Sequence, residues 1–380
     1  MKSFSKPISR ITALAEEPSW HRRLGNVNWG PLLAALALAV IGVATIRSAS
    51  SELGVDYASR QAVRVVLGLV AMALVFRFDY RRLVDAAPLF YGIGLFLLVL
   101  VLFVGDVRGG ARSWLSIGPI GGQPSELAKL ATVMLLARYL GGIRRAHLTL
   151  EQVLIAVSIV AVPLILTALE RDLGGAAMFL PLLAAMLFVA GVRLRLIIGA
   201  GLVGMLLAGG FWELGMKPYQ RNRIISFVSP EADPLGAGYQ VRQSKIAVGS
   251  GQWTGRGYGQ GTQSQLRFLP ERHTDFVLAV LAEEWGFLGV LTVLGLYGVF
   301  FTSAISIAVR SRHRAGILLI TGLVATMAFH VIYNASMVVG LLPVTGIPVP
   351  FLSYGGSFTL ISFLATGLIL NVDFRRYVNR

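Results

Sequence analysis

The apolar residues of this chain fall in runs much longer than the core of a soluble domain requires, and this pattern limits the possible folds most strongly. A helix of about 20 apolar residues is long enough to cross the hydrocarbon core of a bilayer. The chain has 380 residues, of which 55% are hydrophobic and only 14% are charged. We therefore expect an all-α polytopic membrane protein.

Ten apolar runs predict ten transmembrane helices. The expected spans are residues 28–46, 62–76, 86–104, 125–140, 150–169, 174–191, 194–214, 276–309, 315–340 and 353–372. A polar, basic tail (residues 1–27) precedes the ten-helix domain (residues 28–380). The first span is long for a signal peptide and more spans follow, so we expect it to be retained. One long loop, about 215–272, joins the seventh and eighth spans.

The net charge of +15 comes from short basic clusters between the apolar runs. Lys and Arg concentrate in cytoplasmic loops, so these clusters predict both termini on the cytoplasmic side of the cytoplasmic (inner) membrane and the long loop outside. The same distribution argues against a nucleic-acid partner. The absence of cysteine excludes disulfides and thiolate chemistry. Typical clusters are Arg77, Arg81 and Arg82, and Arg310, Arg312 and Arg314.

An ionisable cluster lies where the long loop meets the eighth span. Glu271, His273 and Asp275 occupy alternate positions there. Charged groups near lipid are costly and therefore are functional candidates. We expect Asp275 to be catalytic, with Glu271 and His273 shaping its surroundings. The alternative is an aspartate placed at a helix N-terminus only because the helix dipole favours it.

Further carboxylates lie near this cluster in sequence or on the same side of the membrane. Helical spacing puts Glu283 nearer the Asp275 face than Glu284, so Glu283 is expected to support the same cavity. Asp172, between the fifth and sixth spans, either caps a helix or completes an acidic pocket with Asp275.

Polar residues also occur inside apolar spans. Glu126 and Lys129 are three residues apart and predict an ion pair on one helix face. His330 and Asn334 share a helix face, which favours hydrogen bonding between helices, with catalysis as the alternative. Residues 343–357 contain repeated prolines and cannot form regular helix. This irregular segment must be buried in protein or line a wet cavity.

The long loop is rich in glycine between residues 249 and 261. Such a loop can present backbone N–H groups, here with Arg256, to an anionic head group, and a flexible solvated loop is the alternative. Inverted pairs of broken helices, the mark of many transporters, are not evident in the sequence.

Six motifs follow one another along the chain: Arg112 to Leu115, Gln123 to Glu126 with Lys129, Gly261 to Leu266, Phe268 to Phe276, Ala282 to Glu284, and Pro343 to Ser357. In this order they resemble the SEDS family (shape, elongation, division, sporulation) from the first span to the last. The resemblance is closer to the elongation member than to the division member. One departure is Glu170-Arg171 before Asp172, where the family usually has Gln-Pro.

The resemblance implies a peptidoglycan glycosyltransferase that polymerises lipid II, with Asp275 as general base. An inverting displacement of undecaprenyl pyrophosphate needs such a base and positive charge near the leaving group. Expected substrate-binding residues are Arg112, Trp114, Arg223, Lys245, Arg256 and Gln263, and Trp114 serves equally well as a membrane anchor. Expected cavity-supporting residues are Glu126, Lys129, Asp172, Glu283, His330, Asn334 and Tyr354.

A divalent cation, Mg or Mn, is an expected helper for the pyrophosphate, although no ligand spacing in the sequence requires it. The resemblance also implies a class B penicillin-binding protein, a transpeptidase, as partner. Two other functions stay open at this point: a flippase that moves lipid II across the bilayer, and a noncatalytic scaffold for the transpeptidase.

Overall fold

The computed structural model describes residues 24–51, 55–108, 110–117, 120–143, 147–202, 204, 227 and 236–376. The structure is a helical bundle, as the apolar runs predict. The helices are α1 Gly30–Ser50, α2 Tyr57–Arg77, α3 Tyr80–Asp85, α4 Ala87–Val104, α5 Pro124–Gly142, α6 Leu150–Leu169, α7 Leu173–Ala177, α8 Phe179–Ala190, α9 Ala237–Gly251, α10 Thr262–Gln265, α11 Val277–Arg310, α12 Arg314–Val338 and α13 Gly356–Arg375.

Eight helical segments of the described residues are long and apolar enough to cross a membrane, counting α7 and α8 together. This confirms a polytopic membrane protein. The expected span 125–140 corresponds to α5, a 19-residue helix that is buried along most of its length and carries a buried glutamate and lysine. Residues 194–202 are helical, and most of the remaining expected span to 214 lies outside the described residues.

A small antiparallel sheet follows α4, in a loop for which the sequence predicted no strands. Its order is β1-β2-β3, and register pairs include Asp106 with Trp114 and Leu115 with Gly122. Two of the strands have only three residues, too few to show an alternating pattern in the sequence. The strands are β1 Asp106–Arg108, β2 Ala111–Ile117 and β3 Ile120–Gly122.

The expected eighth span, 276–309, is not one continuous helix. Gly286, inside α11, has φ 66° and ψ −164°, which interrupts the helix. The part after the break, 287–310, is about 36 Å long at 1.5 Å per residue and crosses a bilayer by itself. Side chains of the part before the break are almost completely inaccessible from Val277 to Ala282. Asp275 therefore precedes a short helical segment enclosed by protein.

The glycine-rich loop packs against this break. The backbone N–H of Arg256 donates to the Glu283 carbonyl (3.0 Å), and that of Gly257 donates to the Glu284 carbonyl (3.0 Å). A Cβ atom at Gly255 would lie 2.1 Å from the Glu284 carbonyl oxygen. The glycine at this position allows close backbone contact, and the two N–H groups are used within the protein. The phosphate-cradle interpretation is therefore wrong for these two groups.

The proline-rich segment between α12 and α13 is mostly buried from residue 347 to residue 353, as its irregular backbone requires. Val349, Phe351 and Leu352 are each at most 1% exposed. Helices α2, α11 and α12 hold the segment by hydrogen bonds to the carbonyl oxygens of Ser353, Pro350 and Ile347, respectively. We call residues 343–355 the central segment.

Candidate active site

Asp275 lies in a turn directly before α11 and is half-buried. Its backbone N–H donates to the Glu271 carbonyl at 3.1 Å. Asn334 on α12 donates through Nδ2 to the carbonyl oxygens of Asp275 (2.8 Å) and Ile347 (2.7 Å). A Cβ atom at Gly346 would lie 3.4 Å from Asp275 Oδ2. The carboxylate therefore lies against the central segment, and Asn334 holds both backbones in place.

His273 belongs to an aromatic cluster beside this turn. Its ring lies 4.6 Å from the ring of Tyr57 and 5.5 Å from that of Tyr354. The Tyr354 N–H donates to the His273 carbonyl at 3.0 Å. Burial lowers the pKa of His273, against the opposite effect of Glu271. The imidazole is therefore held neutral near pH 7. Glu271 itself is exposed, has φ 48°, and accepts from the Thr274 hydroxyl at 3.2 Å.

Asp172 caps α7, a short helix that lies against the central segment. Its Oδ1 accepts from the Gly175 N–H (2.8 Å), and its Oδ2 accepts from Gln123 Nε2 (2.9 Å). A Cβ atom at Gly174 would lie 2.8 Å from the Thr345 carbonyl oxygen. The helix-cap interpretation is confirmed. The helix that Asp172 caps therefore adjoins the central segment at Thr345, and Asp275 adjoins it at Gly346.

The Glu170-Arg171 pair ends α6 in a conformation that proline cannot adopt. Arg171 has φ 67°, its N–H donates to the Ala168 carbonyl (3.1 Å), and the Asp172 N–H donates to the Thr167 carbonyl (3.3 Å). This is the Schellman pattern, which needs an N–H and a left-handed residue at the arginine position. Proline has neither.

Glu170 is fully buried, and its carboxyl oxygens have no hydrogen-bond partner within the described residues. Burial raises the pKa of Glu170 to about 9, and Asp172 adds a smaller effect in the same direction. The side chain is therefore neutral at pH 7.

A buried polar chain connects α5 with α12. Lys129 Nζ lies 2.8 Å from Glu126 Oε1 and 3.4 Å from His330 Nε2. His330 Nδ1 lies 3.0 Å from the Pro348 carbonyl, so the Nδ1–H tautomer donates to the central segment. These three side chains line a cavity of about 30 Å³ together with apolar residues of α12 and α13. This volume holds about one water molecule. The expected ion pair is present.

Glu283, on α11, and Gln263, on α10, belong to a second group, which joins α11 to the loop that precedes the Asp275 turn. Glu283 accepts from the backbone N–H groups of Gln263 (2.8 Å) and Ser264 (3.1 Å). Glu284 accepts from the Ser48 hydroxyl of α1. Both carboxylates are buried. Glu283 fastens the loop to α11 and Glu284 fastens α1 to it, from positions about 100° apart around the helix.

The expected substrate-binding residues that the structure describes have separate neighbours. Arg256 donates to the Thr262 hydroxyl (3.0 Å), and Arg112 donates to the Leu102 carbonyl (3.3 Å). Exposed Lys245 on α9 lies against Gly340, beyond the end of α12. Trp114 is half-buried in β2. Arg223 lies outside the described residues.

The sequence analysis missed Gln61, a fully buried residue of α2. Its Nε2 donates to the Ser353 carbonyl (3.2 Å) and the Thr359 hydroxyl (2.9 Å), and its Oε1 accepts from the Gly355 N–H (3.3 Å). Gln61 therefore fixes the end of the central segment that carries Tyr354. A glutamine within an apolar run was the available signal.

The fold and the site define a class: polytopic membrane proteins in which polar residues converge on a buried irregular segment between two spans. The chain belongs to the FtsW/RodA/SpoVE family, whose model, described as "Cell cycle protein", matches residues 29–378.

Relatives and solved structures agree with this membership. The peptidoglycan glycosyltransferase MrdB of Escherichia coli K12 is 38% identical over 348 residues, which cover 91% of this chain and 93% of MrdB. A chain from a structure of a peptidoglycan synthase complex that coordinates polymerization and crosslinking is 33% identical, with a TM-score of 0.81 and coverage of 92% and 98%. The rod shape determining protein RodA of Thermus thermophilus is 30% identical, with a TM-score of 0.71 and the same coverage.

Proposed function

We propose that this chain is a peptidoglycan glycosyltransferase that polymerises lipid II during cell elongation and rod-shape maintenance. Relatives that are named peptidoglycan glycosyltransferase match this chain over nearly their whole length. The observation that carries the mechanism is the position of Asp275: a half-buried carboxylate beside the central segment, with its backbone fixed by Asn334.

In the proposed step the C4 hydroxyl of an acceptor GlcNAc attacks C1 of a donor MurNAc. A new C1–O4 bond forms, the bond from C1 to the pyrophosphate oxygen breaks, and undecaprenyl pyrophosphate leaves with the bonding electrons. Asp275 accepts the hydroxyl proton, because a carboxylate within reach of the acceptor is the group that such a displacement needs. His273 is neutral and orients the turn through its contacts with Tyr57 and Tyr354.

The need for Mg or Mn stays a prediction. The described residues contain no group of three or more His, Asp or Glu side chains that could hold a metal ion. A cage built from those residues therefore does not fit, and the step above uses only the side chains of the chain and the substrate.

The proposed site faces the outside of the cytoplasmic membrane, with both termini in the cytoplasm. The basic loops support this orientation. In this orientation the helix ends that carry the site all lie at the outer face of the bilayer; they belong to α2, α5, α11, α12 and α13. A class B penicillin-binding protein is the proposed partner, since such a transpeptidase would crosslink the strands that this chain makes.

The test is reconstitution of the chain with its transpeptidase partner in liposomes containing labelled lipid II. We expect long glycan strands from the native chain and from Asp85→Asn, an exposed control with the same chemical change. We expect none from Asp275→Asn, although it inserts normally and binds the partner. Equal polymer from Asp275→Asn would remove the aspartate from the mechanism. Absence of polymer in every sample, with lipid II crossing the bilayer, would favour a flippase instead.

A further inference from the structure

Arg64, on α2, lies beside the candidate active site and has no role in the reaction proposed above. The interior stripe of this helix includes Gln61 and Gly68, which face α13 through Thr359 and Phe363. Arg64 falls between them in the same direction, because residues three and four apart share a helix face. The arginine therefore points toward α13 and not toward lipid.

The guanidinium packs on the aromatic cluster of the site. Arg64 Cζ lies 4.1 Å from the centre of the Tyr354 ring. The same ring contacts Tyr57 and His273, two residues before the proposed base. A guanidinium stacked on an aromatic ring keeps its edge free for planar hydrogen bonding to phosphate oxygens. The cluster therefore presents a positioned cation close to the reacting turn.

The charge of Arg64 is not compensated by the described residues. One terminal nitrogen, Nη1, is buried and has no hydrogen-bond partner among the described residues, and Arg64 is in none of their ion pairs. A buried guanidinium N–H without an acceptor is costly. An added Cβ at Gly356, the first residue of α13, would lie 3.4 Å from Arg64 Nε. The helix begins without a side-chain cap. A positive helix end beside a cation makes an anion more favourable still.

Exposed apolar side chains on either side of Arg64 open a route to it from the lipid side. Val63 and Leu67, which flank Arg64 on α2, are 58% and 54% exposed. Arg64 is also about two turns below the outer end of α2, about 10 Å along the axis. A soluble phosphate has no apolar part to match this surface, whereas a lipid-linked phosphate leaves its chain in the bilayer.

We infer that Arg64 binds the diphosphate of the lipid-linked sugar substrate, by hydrogen bonds from its guanidinium while the lipid chain lies along the exposed face of α2. This inference rests on the proposed function and adds the residue that recognises the leaving group. Bulk anionic lipid offers the same phosphate chemistry, and the experiment separates these two sources.

The experiment compares the native chain with Arg64→Gln, Arg64→Lys and Arg242→Gln in the reconstituted complex. Arg242 is an exposed arginine on α9 and serves as the control. Initial polymerisation rates are measured against lipid II concentration in phosphatidylcholine vesicles, with and without phosphatidylglycerol. Added undecaprenyl diphosphate serves as a product inhibitor.

Arg64→Gln should raise KM and the inhibition constant of undecaprenyl diphosphate by the same factor, roughly 10- to 100-fold, as expected for a lost hydrogen bond to a charged group. Arg64→Lys should recover part of both, because it keeps the charge without the planar fork. Values equal to those of Arg242→Gln would overturn the inference. So would a change seen only in the response to phosphatidylglycerol, which would assign Arg64 to bulk lipid.

A second measurement uses the native chain and does not depend on the folding of the variants. Phenylglyoxal modification of Arg64, followed by mass spectrometry, should be slowed by undecaprenyl diphosphate and not by phosphatidylglycerol. No protection would overturn the inference. A native complex that makes no glycan strands would refute the proposed function separately, since protection of Arg64 reports diphosphate binding alone.

Discussion

Substitution of Gly286 by alanine tests the interpretation of the broken helix. The residue has φ 66° and ψ −164°, a region that is essentially restricted to glycine and costs other residues about 1–3 kcal/mol. The new Cβ would also lie 2.3 Å from the Gly255 nitrogen and 2.7 Å from the Thr254 nitrogen. The backbone shifts that such overpacking requires typically cost about 1–3 kcal/mol more. The free energy of unfolding should therefore fall by about 2–6 kcal/mol.

The assay is equilibrium unfolding of the purified chain in mixed micelles, with Gly295→Ala as the matched control on the same helix. Gly295 has open space around its Cβ position. Its replacement should leave stability unchanged or raise it by up to about 1 kcal/mol, because alanine is the better helix former. Equal stability of Gly286→Ala and Gly295→Ala would show that the helix is not interrupted at Gly286.

Three further predictions concern the C-terminal end of α6 and the turn at the proposed base. Because the unfolded chain releases the Glu170 proton near pH 4.5 and the folded chain only near 9, native stability should fall as pH rises between these values. The free energy of unfolding of Glu170→Gln, measured with denaturant, should therefore rise relative to that of the native chain by about 1.4 kcal/mol per pH unit from about pH 5 to 8. A difference that does not change with pH would contradict this. Arg171→Pro should destabilise the chain by about 3 kcal/mol in the same assay, because proline lacks the N–H that ends α6 and cannot adopt a positive φ. A variant as stable as the native chain would contradict the assigned C-terminal cap. Asn334→Ala should lower kcat by about 10- to 100-fold with a smaller change in KM, because Asp275 loses its support, and an unchanged kcat would remove that role.

The sequence alone determined much of the architecture. Runs of about 20 apolar residues have few alternatives to membrane-spanning helices, because backbone groups in lipid must be satisfied within the helix. The repeated prolines likewise determined that the chain before α13 is irregular, although the expected segment 343–357 was two residues too long, because α13 begins at Gly356. The local order of residues was also sufficient to place Asp275 at the start of a helix and to pair Glu126 with Lys129, since both depend on neighbours within a turn.

The tertiary structure decided which of these features meet. Gln61 and Ser353 are 292 residues apart in the chain and form a hydrogen bond, and Asn334 joins the Asp275 turn to the central segment. No local pattern contains such contacts. The break at Gly286 depends on a loop some 30 residues earlier that supplies N–H groups to α11, so a continuous helix was the only prediction available from periodicity. The position of Arg64 over Tyr354 is likewise set by the packing of α2 against α13, because side-chain proximity across helices depends on how their faces are joined in the bundle.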